Sequence, residues 1–298
     1  MRFRWQESSL VVDAPAKLNL YLGVRGRRSD GYHELETVMV SIGLFDTLRL
    51  TPAPPGVLEF SCSSRHAASD ALPDSEQNLV VRAARLLIDA ANPRCGAAIH
   101  LTKRIPVASG LAGGSTDAAA ALVGLNALWK TGLTREQLHR AAARLGSDVN
   151  FFLDSNPLAV CTGRGEIIQS RVLRGPLHFV VVRPGSGLST ADVFRALDVS
   201  QLESPSDSTP LLQALGDGRL GQAARRLRND LQPAAMGLNP QIARALAALS
   251  RGRTYGRMMT GSGSACYGLC ASSRHARSLE AQLKAEFGGH AWAVRAAV

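Results

Sequence analysis

The sequence lacks the patterns that identify several classes of protein. Its five cysteines are scattered and include no Cys-x-x-Cys pair, which argues against a disulfide framework and a structural zinc site. They are Cys62, Cys95, Cys161, Cys266 and Cys270. No stretch approaches the roughly 20 apolar residues of a membrane span, and Met1–Glu7 has no apolar region like that of a signal peptide. We therefore expect a soluble, cytoplasmic protein with reduced thiols.

The chain also lacks a basic tail, although its charge is strongly positive. It has 34 Lys and Arg residues against 24 Asp and Glu, which gives a net charge of +10 and an isoelectric point near 10.0. This balance favours an anionic partner. The arginines are spread through predicted helices, as at residues 82, 85, 140, 144, 225, 226 and 228. We interpret most of them as a solvated surface and a minority as contacts for phosphorylated ligands, so no nucleic-acid partner is expected.

Strand-like and helix-like segments interleave without a regular β-α-β repeat, which predicts an α+β protein. A chain of 298 residues with 45% hydrophobic content is long enough for two domains. The predicted strands cover residues 10–23, 38–50, 97–103, 151–153, 158–161 and 178–182. The predicted helices cover residues 79–91, 116–130, 134–146, 220–227 and 242–249. Polar or Pro- and Ser-rich connections are expected at residues 61–77 and 202–210.

A glycine-rich turn runs directly into a helix-forming segment at residues 105–121, and we call it the glycine turn. Gly110, Gly113 and Gly114 allow positive φ and close approach of a ligand to the backbone. The first N–H groups of the helix and the positive end of its dipole favour phosphate at the same point. Ser115 and Thr116 add hydroxyl groups. The alternative is an ordinary turn with Ser115 as the N-cap; the Gly-Lys-Ser/Thr of a Walker A loop is missing.

The glycine turn is one of four segments that together resemble the GHMP kinase superfamily. The other three are Ala14–Leu20, Leu145–Val149 and Met259–Ala265. The resemblance implies an α+β fold with a ribosomal-protein-like amino-terminal domain and a ferredoxin-like carboxy-terminal domain. It places the domains at residues 1–160 and 161–298, with the active site in a cleft between them. It also implies ATP as the phosphoryl donor.

The element Asp30-Gly31-Tyr32-His33 is similar to one branch of this superfamily. Members of that branch phosphorylate the 2-hydroxyl of a sugar alcohol linked to cytidine diphosphate, in non-mevalonate isoprenoid synthesis. Further matching segments are residues 77–80, 103–106, 163–166 and 229–231. Thr116 and Asn150 depart from the branch, which often has serine and proline there. A mevalonate or homoserine kinase remains the alternative enzyme, and a basic RNA-binding module is an alternative of another class.

The resemblance assigns the chemistry to Lys17 and Asp148. Asp148 is expected to take the proton of the acceptor hydroxyl, and Lys17 is expected to pair with it and stabilise developing charge. Without the resemblance, Asp148 reads as a cap on the next segment and Lys17 as a lysine at a strand edge. Asn19 is expected to contact the acceptor end of the substrate.

The remaining site residues bind the two nucleotide portions. Tyr32 and His33 are expected to recognise cytosine by stacking and hydrogen bonding, with Phe194 on the opposing face of the base; core packing is equally compatible with Phe194. The resemblance places the following residues around ATP: Asn78, Lys103, Pro106, Gly110, Leu111, Ala112, Gly113, Gly114, Ser115 and Thr116. Mg²⁺ is expected to arrive with ATP and to meet Ser115 or Thr116, because the sequence contains no readable acidic metal cage. The small-residue turn at residues 261–264 either closes over the phosphates or joins two elements.

Overall fold

A computed structural model describes residues 1–64, 75–92, 94, 96–202 and 207–296. Cys95 and parts of the two predicted connections, residues 65–74 and 203–206, lie outside this description. The chain forms two compact units. Unit 1 comprises residues 1–16, 44–107 and 112–155, and unit 2 comprises residues 17–43, 108–111 and 156–298. No helix among the described residues is long and apolar enough to span a membrane. The domain boundary expected at residue 160 stays a prediction.

Unit 1 is a sheet with helices. Its strands are β1 (Arg2–Gln6), the first part of β2 (Ser9–Arg27), the last part of β3 (His33–Ala53), β4 (Leu58–Ser64) and β5 (Gly96–Lys103). Their order is β1-β2-β3-β5-β4, and β4 runs parallel to β5. The helices are α1 (Leu79–Ala91), α2 (Gly113–Trp129), α3 (Arg135–Ala143) and α4 (Val149–Leu153).

Local sequence explains the helix boundaries in unit 1. The Asn78 side chain accepts a hydrogen bond from the Val80 amide and starts α1, while Thr134 and Gln137 form the predicted capping box of α3. Helix α2 begins three residues before the predicted start, at Gly113, so Ser115 is not its N-cap. The strand predicted at Phe151–Leu153 is wrong, because these residues belong to α4. A short buried apolar run does not distinguish a strand from a helix by periodicity.

Unit 2 contains an antiparallel sheet of four strands in the order β10-β11-β8-β12. These strands are β8 (His178–Val182), β10 (Gly256–Met259), β11 (Cys266–Cys270) and β12 (Ala291–Arg295). The unit also holds the rest of β2 and β3, which pair with β9 (Arg228–Asn229) and β6 (Leu158–Gly163), and β7 (Ile167–Arg171) pairs with β6.

Helices cover the apolar side of the four-stranded sheet in unit 2. Helices α9 (Gln241–Arg251) and α10 (Ser273–Glu286) contact these strands, and Val180, Ile242 and Leu279 lie in the common core. The smaller helices are α5 (Thr190–Ala196), α6 (Thr209–Gly216), α7 (Leu220–Ala224) and α8 (Gln232–Leu238). Separate sheets and helices of this kind confirm the α+β prediction. The four described cysteines outside residue 95 are free thiols.

Candidate active site

The side chain of Asn19 in unit 2 holds the ammonium group of Lys17. Both residues lie on β2, two positions apart, and therefore on one face of the strand. The Lys17 ammonium donates to Asn19 Oδ1 at 2.6 Å, and Asn19 Nδ2 donates to the Thr37 hydroxyl at 2.8 Å. Lys17 is only 3% exposed. A buried amino group needs hydrogen-bond partners of this kind, and Asn19 supplies one of them.

The backbone of Asn19 is held as firmly as its side chain. Its N–H donates to the hydroxyl of Thr260 at 3.0 Å, and its carbonyl accepts from the hydroxyl of the fully buried Tyr267 at 2.9 Å. The Thr260 hydroxyl also donates to Asn19 Oδ1 at 3.2 Å. Within the described part of the chain, Asn19 Oδ1 therefore accepts two hydrogen bonds and Nδ2 donates one. The contact predicted between Asn19 and substrate stays a prediction, whereas its support of Lys17 is structural.

The start of the glycine turn meets the same threonine. Gly110 has φ +77°, and a Cβ atom there would lie 2.1 Å from the carbonyl oxygen of Thr260. Only glycine, which has no Cβ atom, lets the backbone come this close to Thr260. The carbonyl of Leu111 accepts a hydrogen bond from the Lys17 amide at 3.1 Å, which ties the turn to β2 as well. Within unit 2, three of the four sequence motifs therefore meet: Lys17 and Asn19, the start of the glycine turn, and Thr260.

The glycine turn continues into unit 1 as the first turn of α2. The N-cap residue Ala112 has the left-handed conformation, φ 60°, and makes no side-chain capping bond. The first N–H groups of a helix have no partner within it, so this terminus suits an anion. Ser115 is half-buried there. The buried Thr116 hydroxyl has no hydrogen-bond partner within the described part of the chain.

Asp148 occupies the N-cap position of α4 in unit 1, yet its side chain makes no capping bond. The capping role considered from the sequence is therefore wrong for this aspartate. The side chain of Asp148 is half-buried, and two positions further on Asn150 Oδ1 accepts a hydrogen bond from His139 Nδ1 at 3.2 Å. The pairing of Asp148 with Lys17 and its role as a base stay predictions.

The side chains of two residues expected near adenine form hydrogen bonds within the protein. Asn78 uses Oδ1 to cap α1 and is 8% exposed. The Lys103 ammonium donates to Asp117 at 2.7 Å and also to Asp46, within the interior of unit 1. The buried Pro106 follows on the same segment. Contact of these three residues with ATP stays a prediction.

The residues expected to recognise cytosine each have an aromatic or cationic neighbour within unit 2. His33 and Phe194 stack with their centroids 5.0 Å apart, and the Arg164 guanidinium lies 4.8 Å from the centre of the Tyr32 ring. Burial and the nearby charge of Arg27 lower the pKa of His33. A spacing of 5.0 Å leaves no room for a base between His33 and Phe194. The ring of Tyr32 is exposed, and its stacking on cytosine stays a prediction.

Several residues around these positions escaped sequence reasoning. Thr37 and Tyr267 gave no signal, since each acts through one hydroxyl from a strand that reads as ordinary core. Thr260 belongs to a matching motif, but its hydrogen bonds to Asn19 leave no trace in the sequence. Asp117 did leave one, because the alanine run around it predicts a buried helix, and a buried aspartate in the second turn of that helix requires a cation.

Comparison with known proteins identifies the family. Residues 78–155 match the GHMP kinases N terminal domain, and residues 210–289 match the GHMP kinases C terminal domain. The 4-diphosphocytidyl-2-C-methyl-D-erythritol kinase of Mycolicibacterium gilvum is 43% identical over 276 residues, covering 89% of this chain and 83% of the relative.

Solved structures agree with the sequence relatives. A crystal structure of 4-(cytidine 5'-diphospho)-2C-methyl-D-erythritol kinase has a TM-score of 0.83 at 36% identity and covers 97% of this chain and 100% of its own. A homoserine kinase from Cytophaga hutchinsonii reaches 0.73 at 16% identity, covering 100% of this chain and 97% of its own, and shares the fold alone. Thus the chain belongs to the 4-diphosphocytidyl-2-C-methyl-D-erythritol kinase family of GHMP kinases.

Proposed function

We propose that the protein transfers the γ-phosphoryl group of ATP to the 2-hydroxyl of 4-diphosphocytidyl-2-C-methyl-D-erythritol. The products are the 2-phosphate and ADP, and the reaction belongs to non-mevalonate isoprenoid precursor synthesis. The observation that carries the proposal is the network around Asn19 and Thr260, which holds the Lys17 ammonium and the start of the glycine turn together in unit 2. Likeness to kinases of that name along most of the chain supports the same substrate.

The proposed chemistry is an in-line phosphoryl transfer. The substrate hydroxyl gives its proton to Asp148 as its oxygen forms a bond to the γ-phosphorus, and the bond from that phosphorus to the oxygen bridging to the β-phosphate breaks. Lys17 supplies positive charge as negative charge spreads over the transferred group. Phosphoryl transfer needs little covalent help from the protein, so alignment and charge account for most of the catalysis.

ATP is proposed to bind with its phosphates at the first turn of α2. The uncapped N–H groups after Ala112 and the Ser115 hydroxyl are the donors that support this position. Mg²⁺ fits this site because it takes most of its ligands from phosphate and water and needs few from the protein. Bound Mg²⁺ neutralises phosphate charge, and the hydroxyls of Ser115 and Thr116 are the groups that could face it.

The cytidine portion is proposed to stack on Tyr32 while His33 hydrogen-bonds the edge of the base. A neutral imidazole offers one donor and one acceptor, and the lowered pKa of His33 supports the neutral form. Phe194 holds the His33 ring in place by stacking. The predicted cytoplasmic location, where ATP is plentiful, is part of the proposal.

The decisive experiment offers the purified protein three acceptors in parallel and measures ADP release. We expect turnover with 4-diphosphocytidyl-2-C-methyl-D-erythritol and at most trace activity with mevalonate or homoserine. Mass spectrometry of the product would then show one added phosphoryl group. Comparable turnover of mevalonate or homoserine, or ADP release without a phosphorylated alcohol, would overturn the proposal.

A further inference from the structure

Three ionisable side chains form a buried cluster below the first turn of α2. Lys103 ends β5, Asp117 lies in the first turns of α2, and Asp46 lies on β3. The Lys103 ammonium donates to Asp117 Oδ2 at 2.7 Å and to Asp46 Oδ2. The side chains of Asp46, Lys103 and Asp117 are only 0%, 6% and 3% exposed. An ion pair taken this far from water is strongly disrupted when one partner is lost.

The cluster also fixes the backbone that leads into the glycine turn. Asp46 Oδ1 accepts hydrogen bonds from the amides of Arg104 and Ile105, the latter at 2.8 Å. A Cβ atom built on Gly113 would lie 3.0 Å from the Lys103 ammonium and 3.0 Å from the Ile105 side chain. Glycine at this position therefore lets α2 rest directly on the cluster. The cluster therefore connects the end of β5 to the first turn of α2, where phosphates are proposed to bind.

Charge balance in the cluster matters because a polyphosphate is itself strongly negative. Two carboxylates face one ammonium, which would leave one excess negative charge near the helix terminus. Burial and the neighbouring Asp46 raise the pKa of Asp117 well above its ordinary value, against the opposing effect of Lys103. Burial alone would lower the pKa of Lys103, but Asp117 and Asp46 raise it overall, so the lysine keeps its charge. The raised pKa of Asp117 favours its neutral form, which reduces the excess negative charge below the helix terminus.

We propose that Asp46, Lys103 and Asp117 are positioning residues: they hold the first turn of α2 on the end of β5 and remove excess negative charge below it, so that the turn can bind a nucleotide polyphosphate. This inference rests on the proposed function, which places ATP phosphates at this turn. Lys103 then acts on the phosphates through α2 and does not contact adenine with its side chain.

The test compares the affinities of ATP, ADP and adenosine by calorimetry in three variants. Asp117→Ala cuts the connection between α2 and Lys103 but leaves the Lys103–Asp46 pair intact, so this variant should fold. Lys103→Met leaves two carboxyl groups without a cation, and Lys103→Met/Asp117→Asn relieves that imbalance. For Lys103→Met we expect ATP and ADP affinity to fall about 2- to 30-fold, the range of charge effects at a helix terminus. For Asp117→Ala we expect a fall of about 5-fold or more, because α2 loses its hydrogen bond to the Lys103 ammonium and the turn loses its fixed position. Adenosine affinity should change less than about twofold on the same scale, and the double variant should regain most of the loss of Lys103→Met.

Arg135→Met is the matched control, because it cuts the ion pair of Arg135 with Asp154 in the same unit, an N–O contact of 2.6 Å. It should leave all three affinities unchanged. Unchanged preference for ATP over adenosine in Asp117→Ala overturns the inference, whether or not Lys103→Met folds. Equal losses of ATP and adenosine in Lys103→Met, without rescue by Asp117→Asn, assign the lysine to adenine and also overturn it. A wild-type protein that binds no ATP refutes the proposed function instead.

Discussion

Asn19 and Thr260 are 241 positions apart in the chain and are joined by two hydrogen bonds. The threonine hydroxyl accepts from the Asn19 amide and donates to its side-chain oxygen, which is the atom that holds the Lys17 ammonium. The carbonyl oxygen of Gly110 lies 3.5 Å from the same hydroxyl. The orientation of the proposed catalytic lysine therefore depends on a residue of a different motif that carries no charge.

Thr260→Val should lower kcat while leaving the KM for ATP within about twofold. Valine keeps the shape of threonine but removes both hydrogen bonds, so Asn19 and Lys17 lose their fixed orientation. We expect kcat to fall about 10- to 100-fold, as misplacement of a catalytic group by about 1 Å does. Loss of buried hydrogen bonds should also lower the free energy of unfolding by about 1–3 kcal/mol. Steady-state kinetics and urea denaturation measure the two effects.

Thr254→Val is the control for this substitution. Thr254 lies in the same unit and donates one hydrogen bond, to the carbonyl of Leu249 at 3.2 Å. Its loss should reduce stability slightly and leave kcat unchanged. If Thr260→Val and Thr254→Val have the same kcat, the network around Asn19 does not orient Lys17 for catalysis.

Asp148→Asn should abolish most turnover while ATP still binds. Asparagine keeps the size of the side chain but cannot take a proton, and a positioned base contributes about 10²- to 10⁴-fold in rate. Asp154→Asn is the control, because that carboxylate terminates the same short helix but binds Arg135 and His139. We expect the control to lose stability and keep its kcat. Near-normal turnover in Asp148→Asn would remove this aspartate from the mechanism.

The sequence predicted the local features of the fold more completely than its long-range contacts. The bounds of α1 and β8 and the capping box at Thr134 follow from periodicity and from caps within a few residues. Phe151 and Phe152 were assigned to a strand because their run is too short to reveal the helical period. The edge strands β1 and β12 were missed. All residues of β1 are exposed, so it has no buried apolar face although it pairs with the next strand, and β12 depends on its distant partner β8.

The site residues show the same contrast between local sequence patterns and long-range contacts. The glycine turn, Lys17 and Asp148 could be proposed from the sequence because their motifs are contiguous. Asp46 was not identified from the sequence, because it meets Lys103 and Asp117 only where three separate elements come together in the core. The predicted sandwich of cytosine between Tyr32 and Phe194 also depended on tertiary structure. In the structure Phe194 stacks on His33, while the Arg164 guanidinium lies near the exposed Tyr32 ring.

Tyr32→Ala should raise the KM for the cytidine-linked substrate far more than the KM for ATP. Stacking of one base on an aromatic ring is worth about 1–3 kcal/mol, which corresponds to roughly 5- to 150-fold in affinity. Tyr255→Ala is a matched control, since Tyr255 is 52% exposed and Tyr32 is 55% exposed in the same unit. Tyr32→Phe should behave like the wild type because the ring remains. Equal changes in the two KM values would exclude base stacking on Tyr32.

The KM for the cytidine-linked substrate should rise in acid, with its midpoint below the ordinary histidine pKa of about 6.5. Burial and the positive charge of Arg27 lower the pKa of His33, so the neutral ring persists to a lower pH than in a free histidine. Protonation turns the ring into a double donor and removes its acceptor, which breaks a hydrogen bond to the base edge. Profiles of KM against pH for the wild type and for His33→Asn measure this effect, because asparagine keeps a donor and an acceptor but does not titrate. The KM for ATP should not follow the same curve. A midpoint at or above 6.5, or the same acid rise in His33→Asn, would show that His33 is not the group responsible.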